Sequence, residues 1–221
     1  MKPEIHLISE GKLPLKQWVE TAVAAEVWVD YIHLREKHCS ARELLTSAQV
    51  MVAAGIPVSK LVINDRLDVA LAAGAAGVQL AWHSLAPHAA RRIAPQLRLG
   101  RSVHSPEEAV KASRQGADYC LFGHVFSSAS KAEQPARGLE LLAETVQSCS
   151  IPVIAIGGIS SNNAAQIIRQ GAAGIAVMSG ICGAENPYEA AKAIYKAVHL
   201  QPTISAKEVI LNAADDKWKI H

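Results

Sequence analysis

IPVIAIGGI at residues 151–159, followed by GIAVMSG at residues 174–180, is the part of the sequence that decides the fold. Each stretch is typical of a short buried strand, because its residues are apolar and often β-branched and because glycine or proline bounds the run. Each ends in small residues, Gly157 and Gly158 in the first stretch and Ser179 and Gly180 in the second. A helical pattern of apolar residues follows both stretches. Buried strands that alternate with helices predict a parallel sheet covered by helices.

The same alternation of strand and helix runs through most of the chain. Each strand-like run precedes a helical pattern, and the runs lie at residues 5–8, 28–36, 60–64, 77–81, 97–104, 119–126, 151–159 and 174–180. Eight such units of roughly 25 residues predict a single closed (β/α)8 TIM barrel, since a flavodoxin-like sheet has only about five strands. We predict that the barrel spans residues 1–199 and that residues 200–221 form a C-terminal extension, whose structure the sequence leaves open.

The composition is that of a globular protein with a large core. Of the 221 residues, 50% are hydrophobic and 19% are charged, and the net charge is +2. This charge predicts no nucleic-acid partner, and every apolar run is too short to span a membrane. The four cysteines lie far apart without a C-x-x-C pair, which predicts free thiols rather than disulfides or a zinc site. Charged residues interrupt the N-terminal segment, so we expect no signal peptide and a cytoplasmic location.

The small residues at the ends of the two quoted stretches indicate a phosphate site. Backbone amides at a helix N-terminus are unpaired, and the helix dipole favours an anion there. The last two strands of a parallel barrel bring two such ends side by side. We therefore predict that Gly157, Gly158, Ser179 and Gly180 hold a phosphate group. The alternative is that these residues only allow tight turns between strand and helix.

Further polar side chains follow the other predicted strands, at the end where a barrel carries its active site. They are Arg35, Lys37, Asn64, Asp65, His83, Ser84, Ser102, His104 and His124. The set is cationic and polar and contains no acidic pair, so it favours a small phosphorylated substrate. The histidines lack the spacing of metal ligands, and we predict no metal site.

Five segments of the chain form a recognisable set, namely IHLREK (32–37), IND (63–65), GVQL (77–80), IGGI (156–159) and AVMS (176–179). Together they resemble a known family, the thiamin phosphate synthase superfamily, and the resemblance extends over residues 4–198. Two further segments resemble the thiazole tautomerase, or TenI-type, branch of this superfamily, namely GRSVHS (100–105) and LFGHVF (121–126).

Two positions depart from the pattern of the synthases in this superfamily. The synthases carry a magnesium-ligating aspartate after the fourth strand, where this chain has Ser84. They carry Gly-Pro-Ile-Phe-Pro-Thr after the sixth strand, where this chain has Gly-His-Val-Phe-Ser-Ser at residues 123–128. Asp65 alone makes a poor magnesium site, because magnesium takes hard oxygen ligands. The resemblance therefore implies a retained phosphate site, a weakened metal site and an added imidazole at His124.

From these departures we predict an isomerase of thiamin biosynthesis, a thiazole tautomerase. It would convert a carboxylated dihydrothiazole phosphate to the aromatic thiazole phosphate carboxylate, with His124 as the base that removes and returns the proton. Such a reaction needs no cofactor. Arg35 would bind the substrate carboxylate through a bidentate fork. The other predicted substrate-binding residues of the barrel mouth are Lys37, Asn64, Ser102, Ser128, Ser130 and Lys131.

Other interpretations stay open at the level of sequence. Arg35 would form a salt bridge with Asp65 or Glu36 in one alternative, and His124 would be a core histidine in another. The whole protein would be a thiamin phosphate synthase, a transferase that joins hydroxymethylpyrimidine diphosphate to thiazole phosphate, or a non-catalytic regulatory protein that binds a phosphorylated ligand. We expect a homodimer, because small barrels often associate.

Overall fold

Eight parallel strands close into a barrel in the computed structural model, which describes residues 2–128 and 134–200. Each strand pairs with the next one in sequence, and the eighth pairs with the first. The strands are β1 (Glu4–Ile8), β2 (Tyr31–Leu34), β3 (Leu61–Asn64), β4 (Gly77–Leu80), β5 (Arg98–Val103), β6 (Tyr119–Gly123), β7 (Val153–Ile156) and β8 (Gly174–Val177). The predicted (β/α)8 barrel is confirmed. Residues 201–221 of the predicted extension lie outside the described residues.

Helices follow the strands. They are α1 (Leu15–Ala25), α2 (Ala41–Ala53), α3 (Leu67–Ala72), α4 (Pro87–Ile93), α5 (Pro106–Arg114), α6 (Gly138–Ser148), α7 (Ala164–Arg169), α8 (Ser179–Cys182) and α9 (Pro187–His199). Glu26–Trp28 forms a 3-10 turn, so β2 begins later than the sequence pattern predicts. In the described part of the chain, no helix combines the length and the apolar character that crossing a membrane would require.

Side chains fix where several helices begin. Ser40 and Glu43 form the predicted capping box at the start of α2, in which the Ser40 amide donates to the Glu43 carboxylate at 2.7 Å. The α7 helix begins at Ala164 rather than near residue 160, because Asn163 holds the preceding turn. Its Oδ1 accepts the Ser160 amide at 2.8 Å, and its Nδ2 donates to a backbone carbonyl at 2.9 Å. Such side-chain bonds offer the backbone an alternative to a further turn of helix.

The apolar core lies between the barrel and the helices. Strand residues such as Ile32 and Leu61 are fully buried, as are Trp18 and Met51 of the covering helices. The four cysteines are free thiols in this structure, and burial raises the pKa of Cys182 to about 12. The interior of the barrel differs from this layer, because polar and charged side chains occupy much of it.

The guanidinium of Arg98 lies at the N-terminal end of the barrel interior and pairs with Glu4. Arg98 Nη2 donates to both carboxylate oxygens of Glu4, at 3.1 and 2.9 Å. The Arg98 guanidinium also lies over the rings of Tyr31 and Tyr119, with Cζ 4.5 and 4.6 Å from the ring centroids. Burial tends to raise the pKa of Glu4, but hydrogen bonds from His6 and Arg98 outweigh it and hold that pKa below its usual value. The barrel is thus joined across its base by a partly buried ion pair.

Two buried histidines extend this network towards the middle of the barrel. His6 Nε2 donates to Glu4 at 3.0 Å, and His6 Nδ1 lies 2.9 Å from His33 Nε2. Because a carboxylate only accepts hydrogen bonds, His6 carries a proton on Nε2. When His6 is neutral, its Nδ1 accepts a hydrogen bond from His33 Nε2. Burial lowers the pKa of both, and that of His33 falls well below its usual value.

Acidification from about pH 7 to about pH 5.5 is expected to destabilise the fold. In the unfolded chain both histidines take up protons as the pH falls through their usual pKa of 6.5, whereas in the folded protein the lowered pKa of His6 and of His33 shifts their protonation to lower pH. The free energy of unfolding then falls by up to about 1.4 kcal/mol per pH unit for each histidine. Urea unfolding followed by circular dichroism at several pH values measures this slope.

A variant separates this effect from general acid denaturation. His33→Gln keeps a donor for His6 but removes one titrating group, so the slope should fall by about half. His88 is exposed on α4, and His88→Gln serves as the matched control with an unchanged slope. If the unfolding free energy of His33→Gln falls with pH as steeply as that of the wild type, His33 does not contribute to the acid sensitivity.

Candidate active site

The turns that follow β7 and β8 form one side of the barrel mouth. Gly157 and Gly158 have positive φ angles of 109° and 63°. A Cβ on Gly157 would lie 2.3 Å from the Cβ of His124, and one on Gly158 would lie 2.5 Å from the carbonyl oxygen of Ser127. Both positions therefore need glycine for the packing of the β6–α6 loop on the β7 turn. These contacts support the alternative in which the glycines allow a tight turn between strand and helix. The predicted contact with a phosphate stays a prediction.

Ser179 and Gly180 begin α8 beside this turn. A Cβ on Gly180 would lie 3.0 Å from the carbonyl oxygen of Ile159, so the turns after β7 and β8 are in contact. The first amides of a helix lack intrahelical acceptors, and the Ser179 hydroxyl adds another donor. The structure thus gathers the four residues predicted for the phosphate, which together we call the phosphate cup (Gly157, Gly158, Ser179, Gly180).

Arg35 and Lys37 follow β2 at the same end of the barrel. The Arg35 amide donates to Ser9 Oγ at 2.7 Å, which ties it to the end of β1. Burial lowers the pKa of the Arg35 guanidinium from its usual value, although Glu36 and Glu10 act in the opposite direction. Lys37 is exposed. One half-buried and one exposed cation therefore lie after β2.

Asp65 follows Asn64 at the end of β3, and its φ of 66° is a left-handed conformation that aspartate tolerates better than most residues. The Ser84 hydroxyl donates to the Asp65 carboxylate, and His83 Nε2 lies 3.5 Å from it. The predicted alternative in which Arg35 pairs with this aspartate is not found among the described residues. Asp65 is instead bound by the segment that follows β4.

The residues around Asp65 do not by themselves fit a resident magnesium ion. Asp65 offers one carboxylate, which already accepts the Ser84 hydroxyl. Within residues 2–128 and 134–200, no group of three or more His, Cys, Asp or Glu side chains could hold a metal ion. Magnesium prefers octahedral oxygen coordination, so substrate oxygens and water would have to supply most of its ligands.

Replacing Ser84 by aspartate is expected to create a magnesium site. Two carboxylates within hydrogen-bond reach repel each other until a divalent cation binds between them. We expect Ser84→Asp to bind magnesium at least about tenfold more tightly than the wild type, measured by isothermal titration calorimetry. Ser84→Asn has nearly the same shape without the charge and is the control. Equal magnesium affinity in the two variants would contradict this expectation.

The other predicted binding residues are spread around the mouth. Ser102 on β5 accepts a hydrogen bond from Gln79 Nε2 at 3.1 Å, and it pairs with Leu121 of β6. Ser128 is the last residue before a gap in the described residues. Ser130 and Lys131 lie outside the described residues, so their predicted contacts with the substrate stay predictions.

His124 is buried and bonded to a loop. Only 3% of its surface is exposed, and its Nε2 lies 3.2 Å from the carbonyl oxygen of Gln134. Its backbone carbonyl accepts the Arg137 amide at 3.0 Å, and Arg137 Nε donates to the Gly123 carbonyl at 2.9 Å. The imidazole therefore has a partner within the β6–α6 loop, which is the arrangement of the core-histidine alternative.

A cavity beside this loop was not predicted from the sequence. The cavity has a volume of about 550 Å³ and is lined by Trp82, His104, Ser105, Glu108, Gln134 and Arg137. These residues come from the segments after β4, β5 and β6. Because they lie in no common motif and are far apart in the chain, their meeting depends on barrel closure. The only hint in the sequence is a tryptophan directly after a barrel strand.

Comparison with known proteins identifies relatives along most of the chain. Residues 5–181 match the protein family described as Thiamine monophosphate synthase. The thiamine-phosphate synthase of Chlorobium luteolum is 44% identical over 166 residues, which cover 74% of this chain and 78% of the relative. The thiamine-phosphate synthase of Pyrococcus furiosus is 38% identical over 199 residues, which cover 89% of this chain and 95% of the relative. A solved structure of thiamine phosphate pyrophosphorylase from Pyrococcus furiosus is similar, with a TM-score of 0.76 and 36% sequence identity. The aligned region covers 89% of this chain and 96% of the chain in that structure.

These relatives correct the predicted activity. They are named synthases, which are transferases, so the predictions of an isomerase and of a thiazole tautomerase are wrong. The error came from interpreting Ser84 as the loss of a metal ligand and His124 as a base that transfers a proton. In the structure Ser84 supports Asp65 and His124 is bonded to a loop carbonyl, and neither contact is visible in a motif. The closed barrel, the motifs at its strand ends and the match over most of its length show that the chain belongs to the thiamine monophosphate synthase family.

Proposed function

We propose that the protein is a thiamin phosphate synthase. It joins hydroxymethylpyrimidine diphosphate to thiazole phosphate and releases diphosphate. The observation that carries this proposal is the identity of 44% and 38% to two thiamine-phosphate synthases, the second covered over 95% of its length. The polar, cationic mouth of the barrel agrees with two phosphorylated substrates.

The two sides of the mouth suit the two substrates. In our proposal the phosphate cup binds the thiazole phosphate, because its amides and hydroxyl are donors without an added charge. Arg35 and Lys37 bind the diphosphate, since the larger negative charge calls for cations. Asn64 and Ser102 contact the rings, and Ser128, Ser130 and Lys131 contribute from the loop after β6.

The chemistry needs little from the protein beyond position and charge. The thiazole nitrogen attacks the methylene carbon of the pyrimidine substrate, a carbon–nitrogen bond forms, and the carbon–oxygen bond to the diphosphate breaks. Negative charge grows on the departing diphosphate, where the Arg35 guanidinium stabilises it. The cup keeps the thiazole oriented for attack, which lowers the entropic part of the barrier.

A direct assay tests the proposal. The purified protein is incubated with both substrates, with and without magnesium, and thiamin phosphate is detected by its fluorescence after oxidation to the thiochrome. We expect product that requires both substrates, together with release of one diphosphate per product. Absence of product under conditions in which a known synthase is active would overturn the proposal.

Replacing Arg35 by alanine is expected to lower kcat/KM for the pyrimidine diphosphate by about 10- to 100-fold, because a charge-assisted contact to the leaving group is lost. Arg92 is exposed on α4, and Arg92→Ala is the matched control that removes the same charge away from the mouth. Equal rates in the two variants would remove Arg35 from the proposed site.

We also propose that residues 1–199 form the catalytic domain, that the protein is a homodimer and that it acts in the cytoplasm. Light scattering on the purified chain tests the dimer, and a truncation after residue 199 tests whether the barrel folds and is active without the segment that follows.

A further inference from the structure

Two of the four cysteines meet in the layer between β6 and the helices that cover it. Cys120, the second residue of β6, is fully buried, whereas Cys149 directly follows α6 and is partly exposed. Both thiols donate to the same acceptor, the carbonyl oxygen of Ala109 on α5, with sulfur–oxygen distances of 3.9 and 3.7 Å. The two thiols are also hydrogen-bonded to each other. The fold therefore gathers both sulfur atoms around one point, although the residues belong to separate elements.

Backbone and side-chain bonds hold both cysteines in this position. The Cys120 amide donates to the carbonyl of Pro152 at 2.9 Å, in the segment that begins with Cys149. In the same segment, Ser150 Oγ lies 2.7 Å from Ser113 Oγ, near the end of α5. Groups that are already held close together react as if present at a high concentration, because little translational or rotational entropy remains to be lost. The arrangement therefore favours a bond between the two sulfur atoms.

The two thiols are not equally reactive. Burial raises the pKa of the Cys120 thiol well above its usual value, and the neighbouring Cys149 acts in the same direction, although Arg101 opposes both. The thiolate is the nucleophile in exchange with a disulfide, so Cys120 is slow to attack an external reagent. Cys149 is also the one of the two that solvent reaches. An oxidant therefore reacts first at Cys149, and Cys120 follows within the same molecule.

A groove between α5 and α6 lies beside Cys149. It has a volume of about 470 Å³, and Ser148, the residue directly before Cys149, forms part of its lining. Lys111 and Arg114 also line it, together with two glutamates. A small peptide that carries both carboxylates and ammonium groups finds a complement of each sign there. Oxidised glutathione is a disulfide of this kind, so the groove suits it as the reagent that meets Cys149.

We propose that Cys120 and Cys149 form a modification site, which a small anionic disulfide such as oxidised glutathione converts to an intramolecular disulfide bond. The Cys149 thiolate attacks one sulfur of the reagent, a mixed disulfide forms, and the first glutathione leaves. The Cys120 sulfur then attacks the sulfur of Cys149, and the second glutathione leaves. Each glutathione takes up the proton that one cysteine loses. Two electrons pass from the two cysteines to the reagent, which is reduced to two thiols.

The new bond joins the beginning of β6 to the residue after α6. A cross-link restricts the unfolded chain more than the folded one, so it stabilises the fold. Both cysteines lie at the base of the barrel, where the strands begin, and the proposed substrate site is at the opposite end. The modification is therefore independent of the proposed transferase activity.

Peptide mapping of the full chain tests the site. The folded protein is incubated with oxidised glutathione at about pH 8, close to the usual pKa of a thiol. The remaining thiols are then alkylated, and the peptides are analysed by mass spectrometry without reduction. We expect a cross-linked peptide pair that contains Cys120 and Cys149. Cys120→Ala should stop at one glutathione on Cys149, and Cys149→Ala should form no cross-link at Cys120.

Cys39→Ala is the matched control. Cys39 is also partly exposed, but it lies between β2 and α2, so this variant should form the cross-link as the wild type does. The cross-linked protein should also unfold at a temperature about 5 °C or more above that of the reduced protein.

Three results contradict the proposal. The first is a wild type that yields no Cys120–Cys149 peptide pair under these conditions. The second is a pair that forms as readily in urea as in the folded chain, because the fold then has no part in it. The third is an equal Tm before and after reduction, since the bond then does not belong to the native structure.

Discussion

Replacing Arg98 by alanine is expected to lower the free energy of unfolding by about 3 kcal/mol or more, measured by urea unfolding near neutral pH. The change leaves the Glu4 carboxylate, which is only 22% exposed, without its cation. It also removes the guanidinium that contacts the rings of Tyr31 and Tyr119. Loss of one partner is costly because the remaining charge was desolvated on folding and now lacks compensation.

An exposed ion pair supplies the control for this expectation. Arg66 pairs with Asp68, whose side chain is 61% exposed, and Arg66→Ala should cost less than about 1 kcal/mol. The double variant Glu4→Gln/Arg98→Met removes both charges and should recover part of the loss. If Arg98→Ala and Arg66→Ala lower the free energy of unfolding by similar amounts, the stability of the barrel does not depend on the Glu4–Arg98 pair.

Replacing Gly157 by alanine is expected to reduce kcat/KM for thiazole phosphate by about 100-fold in the synthase assay. The new Cβ would meet the Cβ of His124 at 2.3 Å and its Cα at 2.6 Å, and the φ of 109° is unfavourable for alanine. Because the obstruction is backbone and Cβ rather than a flexible side-chain end, the β7 turn or the β6–α6 loop must move. Either movement displaces donors of the phosphate cup.

Gly74→Ala is the matched control for strain without a clash. Gly74 also has a positive φ, of 62°, but a Cβ there would meet nothing within 4 Å. It ends α3 at the other end of the barrel, so we expect a stability loss of about 1 kcal/mol and unchanged activity per folded molecule. If Gly157→Ala behaves like Gly74→Ala, the turn after β7 does not position the substrate.

Local features of the molecule could be predicted because the sequence contains both partners within a few residues. The capping box of Ser40 and Glu43 spans three positions, and the alternation of buried strands with helices repeats along the chain. The proximity of the turns that hold Gly157, Gly158, Ser179 and Gly180 could be predicted for a related reason, since each pair directly follows a strand. Barrel topology then places consecutive strand ends side by side.

His124 shows where this reasoning fails. Its position after a strand predicted a side chain in the mouth, and its residue type suggested a base. Its actual partner is the carbonyl of Gln134, and its backbone packs against Gly157 from another strand. Sequence position restricts a side chain to one end of the barrel, but the contacts made there depend on loops that the motif does not describe.

The sequence alone determined the barrel and the polar character of the segments that follow its strands, because both follow from local periodicity and from which residues end each strand. Only the tertiary structure decided that Arg98 would meet Glu4, 94 residues away, and that Trp82, Glu108 and Arg137 would line one cavity. These groups lie on separate elements, and closure of the barrel is what sets their distances. Their charges and rings therefore acquire their partners only in the folded protein.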